Sequence, residues 1–169
     1  MGPVPGSRST TTDRRRSATP SVAKLAAAFL EEAEWAFVGF LPFGVAPLTR
    51  RSWTSVQVFP AEPFEEHYEL QLLRGPTGGL RIEVGFHAEH RTVDANDAVL
   101  GRLVAGERRW RGVLGEGPEA GPFLGRPRPW RRLSETWDDT LGFDSCVAVE
   151  GAERLASYVT ALEPLRLGR

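Results

Sequence analysis

Three histidines and two glutamates raise the first chemical question. His67 sits in an alternating run, residues 66–73, where Tyr68, Leu70 and Leu72 share one side and His67, Glu69 and Gln71 the other. His87 sits in a second run, residues 80–89, with Leu80, Ile82, Val84, Phe86 and Ala88 opposed to Arg81, Glu83, Gly85, His87 and Glu89. Gly75-Pro76-Thr77-Gly78-Gly79 separates them and has turn composition, so the two runs form an antiparallel hairpin. A register pairing Leu72 with Ile82 sets His67 opposite His87 and Glu65 opposite Glu89. Two imidazoles and two carboxylates are a donor set for a divalent metal. A register slipped by two residues sets Glu65 opposite His87 and Glu69 opposite Glu83, an unfavourable like-charge pair. The ordinary alternative is a water-facing sheet surface with common cross-strand pairs; on that reading no metal and no cofactor is assigned. His90 points away from His87 on a strand and joins neither arrangement.

The second feature is a pairing of tryptophan with arginine. Arg108-Arg109-Trp110-Arg111 and Arg128-Pro129-Trp130-Arg131-Arg132 flank a Gly/Pro-rich stretch. Guanidinium groups over indole faces suit a nucleotide, a single-stranded nucleic acid or an acidic peptide. Arg109, Trp110, Arg111, Trp130, Arg131 and Arg132 are therefore the candidate partner- or anion-binding residues. The competing reading is tryptophans in the core or at its rim with arginines stacked on them. Asp138-Asp139 follows, a carboxylate pair that suits either acid–base work or a solvated turn.

Most familiar chemistry is missing. The single lysine, Lys24, lies in the first helical pattern, so no phosphate-cradling Gly-Lys-Ser/Thr loop exists. Gly115, Gly117 and Gly121 lack the spacing and the following helix of a dinucleotide fingerprint. There is no Gly-x-Ser-x-Gly elbow, no Cys-x-x-Cys and no His-Glu-x-x-His. Arg81-Ile82-Glu83-Val84-Gly85 offers a nuclease-like glutamate without its lysine. No catalytic residue is assigned.

Elements that would position these groups follow from periodicity. Residues 1–20 are rich in Gly, Pro, Ser, Thr and Arg and read as a disordered tail carrying Arg14-Arg15-Arg16; residues 21–169 form one domain. Thr19-Pro20 opens a helix whose stripe is Leu25, Phe29, Ala33 and Ala36, with Leu30 and Phe37 beside it, ending near Val38-Gly39. Strands follow at residues 52–59, 66–73 and 80–89. Thr92 or Asp94 caps a helix that runs to Ala105 and stops at Gly106. Residues 108–114 read as a strand, 115–128 as a loop and 129–137 as a strand. A last helix runs from about 150 to 163 on Leu155, Val159 and Leu162, and Pro164 ends it. The expectation is α+β: an antiparallel sheet of about five strands with three helices, in the order α-βββ-α-ββ-α.

Composition narrows the class. The chain has 169 residues, net charge −1 and one cysteine, Cys146, so bulk charge does not favour nucleic acid and a reducing compartment suits it. Arginine outnumbers lysine twenty to one, the mark of a high-GC bacterial genome. Arg14–Arg16 before the apolar stretch 22–30 imitates an export signal, but Lys24, Glu31, Glu32 and Glu34 spoil it. No run suits a membrane span.

The order of elements, carried by the helix around Leu25-Phe29, the Tyr68–Leu72 and Leu80–Ala88 hairpin, the helix around Val99-Leu103 and the helix around Leu155-Leu162, resembles the bacterial secretion-chaperone-like fold, including YbjN-like domains. It is also similar to small domains attached to restriction-type systems. The first resemblance implies a non-catalytic, often dimeric domain that holds a partner polypeptide on exposed apolar surface. The expectation for function is a cytoplasmic protein-binding or chaperone-like domain that self-associates. The alternatives are a nucleic-acid-binding accessory protein and a metal-dependent enzyme.

Overall fold

A computed structural model describes residues 21–42, 47–75, 78–124, 127–137 and 143–169. The Arg14–Arg16 run, Thr19-Pro20, Pro76-Thr77 and Asp138-Asp139 lie outside these residues. The chain is α+β, with six antiparallel strands in the order β1-β2-β3-β4-β6-β5 and four helices. In chain order these are α1 (Val22–Phe40), β1 (Leu48–Arg51), β2 (Ser55–Phe59), β3 (Glu66–Arg74), β4 (Leu80–Ala88), α2 (Val93–Ala105), α3 (Glu107–Leu114), β5 (Glu119–Pro122), β6 (Arg131–Trp137) and α4 (Ser145–Arg166).

Strand alternation builds the core. Val56, Val58, Tyr68, Leu70, Leu72, Ile82, Val84, Phe86 and Leu133 present one apolar face. Phe29, Leu30 and Phe37 of α1 and Leu155, Val159 and Leu162 of α4 cover it. Each fully buried aliphatic or aromatic side chain contributes roughly 1.5–3 kcal/mol. The hairpin adopts the Leu72–Ile82 register, with His67 opposite His87 and Glu69 opposite Gly85. Gly78, at φ +86°, takes the left-handed conformation that its turn requires.

Several expectations are corrected. Residues 52–59 are not one strand: Ser52 Oγ accepts from the amides of Thr54 and Ser55, folding a turn between the short β1 and β2. Residues 108–114 are a helix, α3. Trp110 and Leu114 fall four apart and are both buried, Glu107 pairs with Arg111, and the Trp110 indole N–H donates to Leu103 O at 2.8 Å. The Gly/Pro stretch contains β5, which pairs with β6. Ser21 caps α1, and Leu25 lies at its exposed margin. Thr92 caps α2, which ends at Ala105 before Gly106 as the periodicity indicated. The last helix is longer than its apolar stripe suggested, capped by Asp144 and holding Pro164 inside its final turn. No helix among the described residues is long and apolar enough to cross a membrane.

Candidate functional site

The far face of the sheet carries polar residues in rows across the strands. One row is His67, His87 and Arg132; the next is Arg50, Gln57, Glu69, Gly85, Ser134 and Glu119; a third is Ser55, Gln71, Glu83 and Thr136. This face was expected to be wet. Instead His67, Glu69, Gln71, Glu83 and His87 are buried, and His87 is 0% exposed. Aromatic rings close over them. Phe59 lies 5.2 Å from the His67 ring and meets Phe64, and Phe123 lies 5.2 Å from the His87 ring and meets Trp130.

Glu83 is saturated. It accepts from Gln71 Nε2 at 2.5 Å and Ser134 Oγ at 2.5 Å, and sits 3.4 Å from His87 Nε2. Arg132 stands 3.9 Å away and donates to Ser134 Oγ at 2.9 Å. Glu69 lies between the two imidazoles, 2.9 Å from His87 Nδ1 and 3.6 Å from His67 Nε2. Burial alone would push the His87 pKa down; its contacts with Glu69 and Glu83 outweigh this and raise it to about 10. Burial opposes ionisation of Glu69 too, but His67 and His87 hold its carboxyl well below the ordinary range. Glu89, partly exposed, is shifted upward by desolvation.

Gly85 makes the arrangement possible. A Cβ there would come within 2.3 Å of Ser134 Cβ and 2.5 Å of Leu133 O, so only glycine lets β4 and β6 approach beneath Glu69. Donor atoms of His67, Glu69, His87 and Glu89 all lie within 4.8 Å of one another. The hairpin register thus brings together three of the four sequence candidates. Glu65, the fourth, is exposed beyond the end of β3, though its carbonyl accepts from the Glu89 amide at 2.7 Å. Glu69 takes its place. Sequence reasoning placed Glu69 on the right face but overlooked it; the signal was the mid-strand glycine, which left room opposite.

Two grooves reach this centre. One, of about 160 Å³, is lined by Leu48, Arg50, Gln57, Phe59, Phe64, His67 and Glu89; the other, about 900 Å³, includes Gln57, Glu69, Gln71, Arg81, Phe123 and Trp130. Glu89 lines both.

The Trp/Arg candidates do not form one surface. Trp110 is buried among the helices, with Arg111 stacked 4.7 Å above its ring, and Arg109 is exposed. Trp130 lies on the far side of the sheet under Arg128. Arg131 turns to Asp97 on α2 at 2.5 Å, whereas Arg132 turns to the Glu83 centre.

A second exposed region lies where α1 meets the edge strand β1. Trp35 is 81% and Trp53 88% exposed, with Val38 and Phe40 nearby on α1. Thr49 and Arg51 of β1 reach Glu34, and Arg51 also approaches Glu31. Two shallow grooves share Glu31 and Arg51, one bounded by Trp35 and the other by Trp53.

No protein-family model, no curated protein and no solved structure matches this chain.

Proposed function

We propose that this chain is a non-catalytic, cytoplasmic protein-binding domain of the chaperone-like kind, and that its first partner is a second copy of itself. One observation carries this reading: the exposed indoles of Trp35 and Trp53 flank an edge strand that no described strand pairs on its outer side. Monomers seldom leave such surface uncovered. An unpaired edge is a template for strand addition.

The surface is self-complementary. Glu31 and Glu34 lie beside Arg51, so a two-fold axis through β1 brings opposite charges together as an isologous contact requires. Two indoles supply about 300–500 Å² per protomer. Val38, Phe40 and a β1–β1 ladder extend this toward the roughly 800 Å² per partner of a stable interface. The absence of any catalytic sequence signature agrees with a binding role.

A nucleic-acid role draws less from this geometry, because Trp110 is buried and the two Trp/Arg segments lie on opposite sides of the sheet. Binding that weakens steeply with salt would restore it.

Light scattering on the eluting protein tests the proposal. A two-chain mass at micromolar concentration is expected, falling to one-chain mass in the Trp35→Ala/Trp53→Ala double variant with its circular dichroism unchanged. A wild-type chain that remains monomeric up to about 100 μM, where only interactions weaker than roughly 5.5 kcal/mol escape detection, would overturn it.

A further inference from the structure

We propose that His67, Glu69, His87 and Glu89 form a binding site for a divalent transition-metal ion of the zinc class. The proposal is independent of self-association, since these residues lie on the far face of the sheet rather than at the α1 surface.

Proximity is the first argument. Two adjacent strands deliver four donors, directly opposed in register at His67 and His87, with all donor atoms within 4.8 Å of one another. A tetrahedral ion at about 2.0–2.1 Å from its ligands needs donors roughly 3.3 Å apart. The widest gap must therefore close by about 1.5 Å.

The second argument is unused capacity. His67 Nδ1 is buried and makes no hydrogen bond. His87 Nδ1 points at Glu69, 2.9 Å away, a contact that a bound ion would replace. Leaving a buried polar atom unbonded costs roughly 1–3 kcal/mol. His87 Nε2 is held by Glu83 while its Nδ1 faces Glu69, and His67 Nε2, 3.6 Å from Glu69, also contacts Gln57 at 3.2 Å. A carboxylate that fixes one ring nitrogen while the other faces a ligand position is the usual support of a metal-binding histidine. Gln71, Ser134 and Arg132 fix Glu83 in turn.

The third is charge and donor type. Glu69 and Glu83 bracket His87, and Glu89 adds a third carboxylate, so an ion bound here would take over the positive charge that His87 places between Glu69 and Glu83. Imidazole with carboxylate suits zinc and its neighbours, whereas calcium and magnesium prefer all-oxygen cages. The larger groove opens at Glu69 and Glu89 and supplies an entry path.

The test is a titration of the full, chelator-treated chain with Co²⁺, read by visible absorption, and with Zn²⁺ by equilibrium dialysis. One ion per chain is expected, with Co²⁺ bands displaced by Zn²⁺. His67→Ala should weaken binding by roughly 100-fold or more, exceeding the 10–100-fold typical of residues behind the ligands. Glu89→Gln, at a partly exposed position that the fold does not need, should weaken it about 10-fold and decides the matter if His67→Ala does not fold. His90→Ala, on the opposite face, should bind as wild type. No saturable binding by the wild-type chain, or equal binding by wild type and Glu89→Gln, overturns the site.

Discussion

Strand β3 carries a buried ionic cluster on each of its faces, and the two are built differently. On the helix side, Arg166 of α4 donates to Glu163 at 2.7 and 2.8 Å and to Glu66 at 3.1 Å. Tyr68 donates to Glu163 at 3.0 Å, and His90 Nε2 lies 3.0 Å from the second Glu66 oxygen. Every carboxylate there has a cation and every guanidinium branch an acceptor. On the far side, Glu83 is equally saturated, but His67 retains an unbonded nitrogen and Glu89 opens onto two grooves. The same residue types yield a closed clasp on one face and an unfinished coordination sphere on the other. Burial of charge alone therefore does not mark a site; an unsatisfied donor set with access does.

The largest expected effect lies in the clasp. Arg166→Met leaves Glu66 and Glu163 without their cation and should cost about 3–5 kcal/mol in urea unfolding, with zinc affinity unchanged. A loss below about 1 kcal/mol would show the clasp to be ornamental.

Zinc should act only on the other cluster. At a free concentration 100 times the wild-type Kd it should stabilise the wild-type chain by about 2.7 kcal/mol, and His67→Ala by no more than about 0.4 kcal/mol. A chelator should reverse the gain. Equal stabilisation of both chains would place the ion elsewhere.

Gly85→Ala sharpens the contrast further, since it forces β4 away from β6 beneath Glu69. Destabilisation of about 1–3 kcal/mol is expected from overpacking, together with weakened zinc binding. Retention of both properties would show that the strands yield freely.

Smallest in stability is Trp53→Ala, within about 0.5 kcal/mol because the side chain is exposed. Its expected effect appears only in the association constant measured by sedimentation.

Much of the framework was legible from periodicity. The hairpin was legible from the match of apolar sides, but its register was not, since a two-residue slip keeps that match; Thr92 or Asp94 and Gly106 marked the ends of α2 because capping is local chemistry. Trp110 and Leu114 were misread because eight residues hold only two helical turns, too few for period 3.6 to stand out from period 2. β5 was missed because Gly, Pro and Ala lack strand propensity, and its pairing with β6 decides its state. The polar face was legible as polar but not as buried. Phe59, Phe64, Phe123 and Trp130 close it from distant segments, and no alternation within β3 or β4 encodes that cover. Glu69 joined the site for the same reason, through Gly85 on another strand.

The most direct measurement is a crystal structure of the zinc-treated chain with anomalous diffraction collected at the zinc edge. The account predicts one strong peak about 2.0–2.1 Å from donor atoms of His67, Glu69, His87 and Glu89, with His87 Nε2 still held by Glu83. A map with no peak on this face, and His87 still lodged between Glu69 and Glu83, would contradict it.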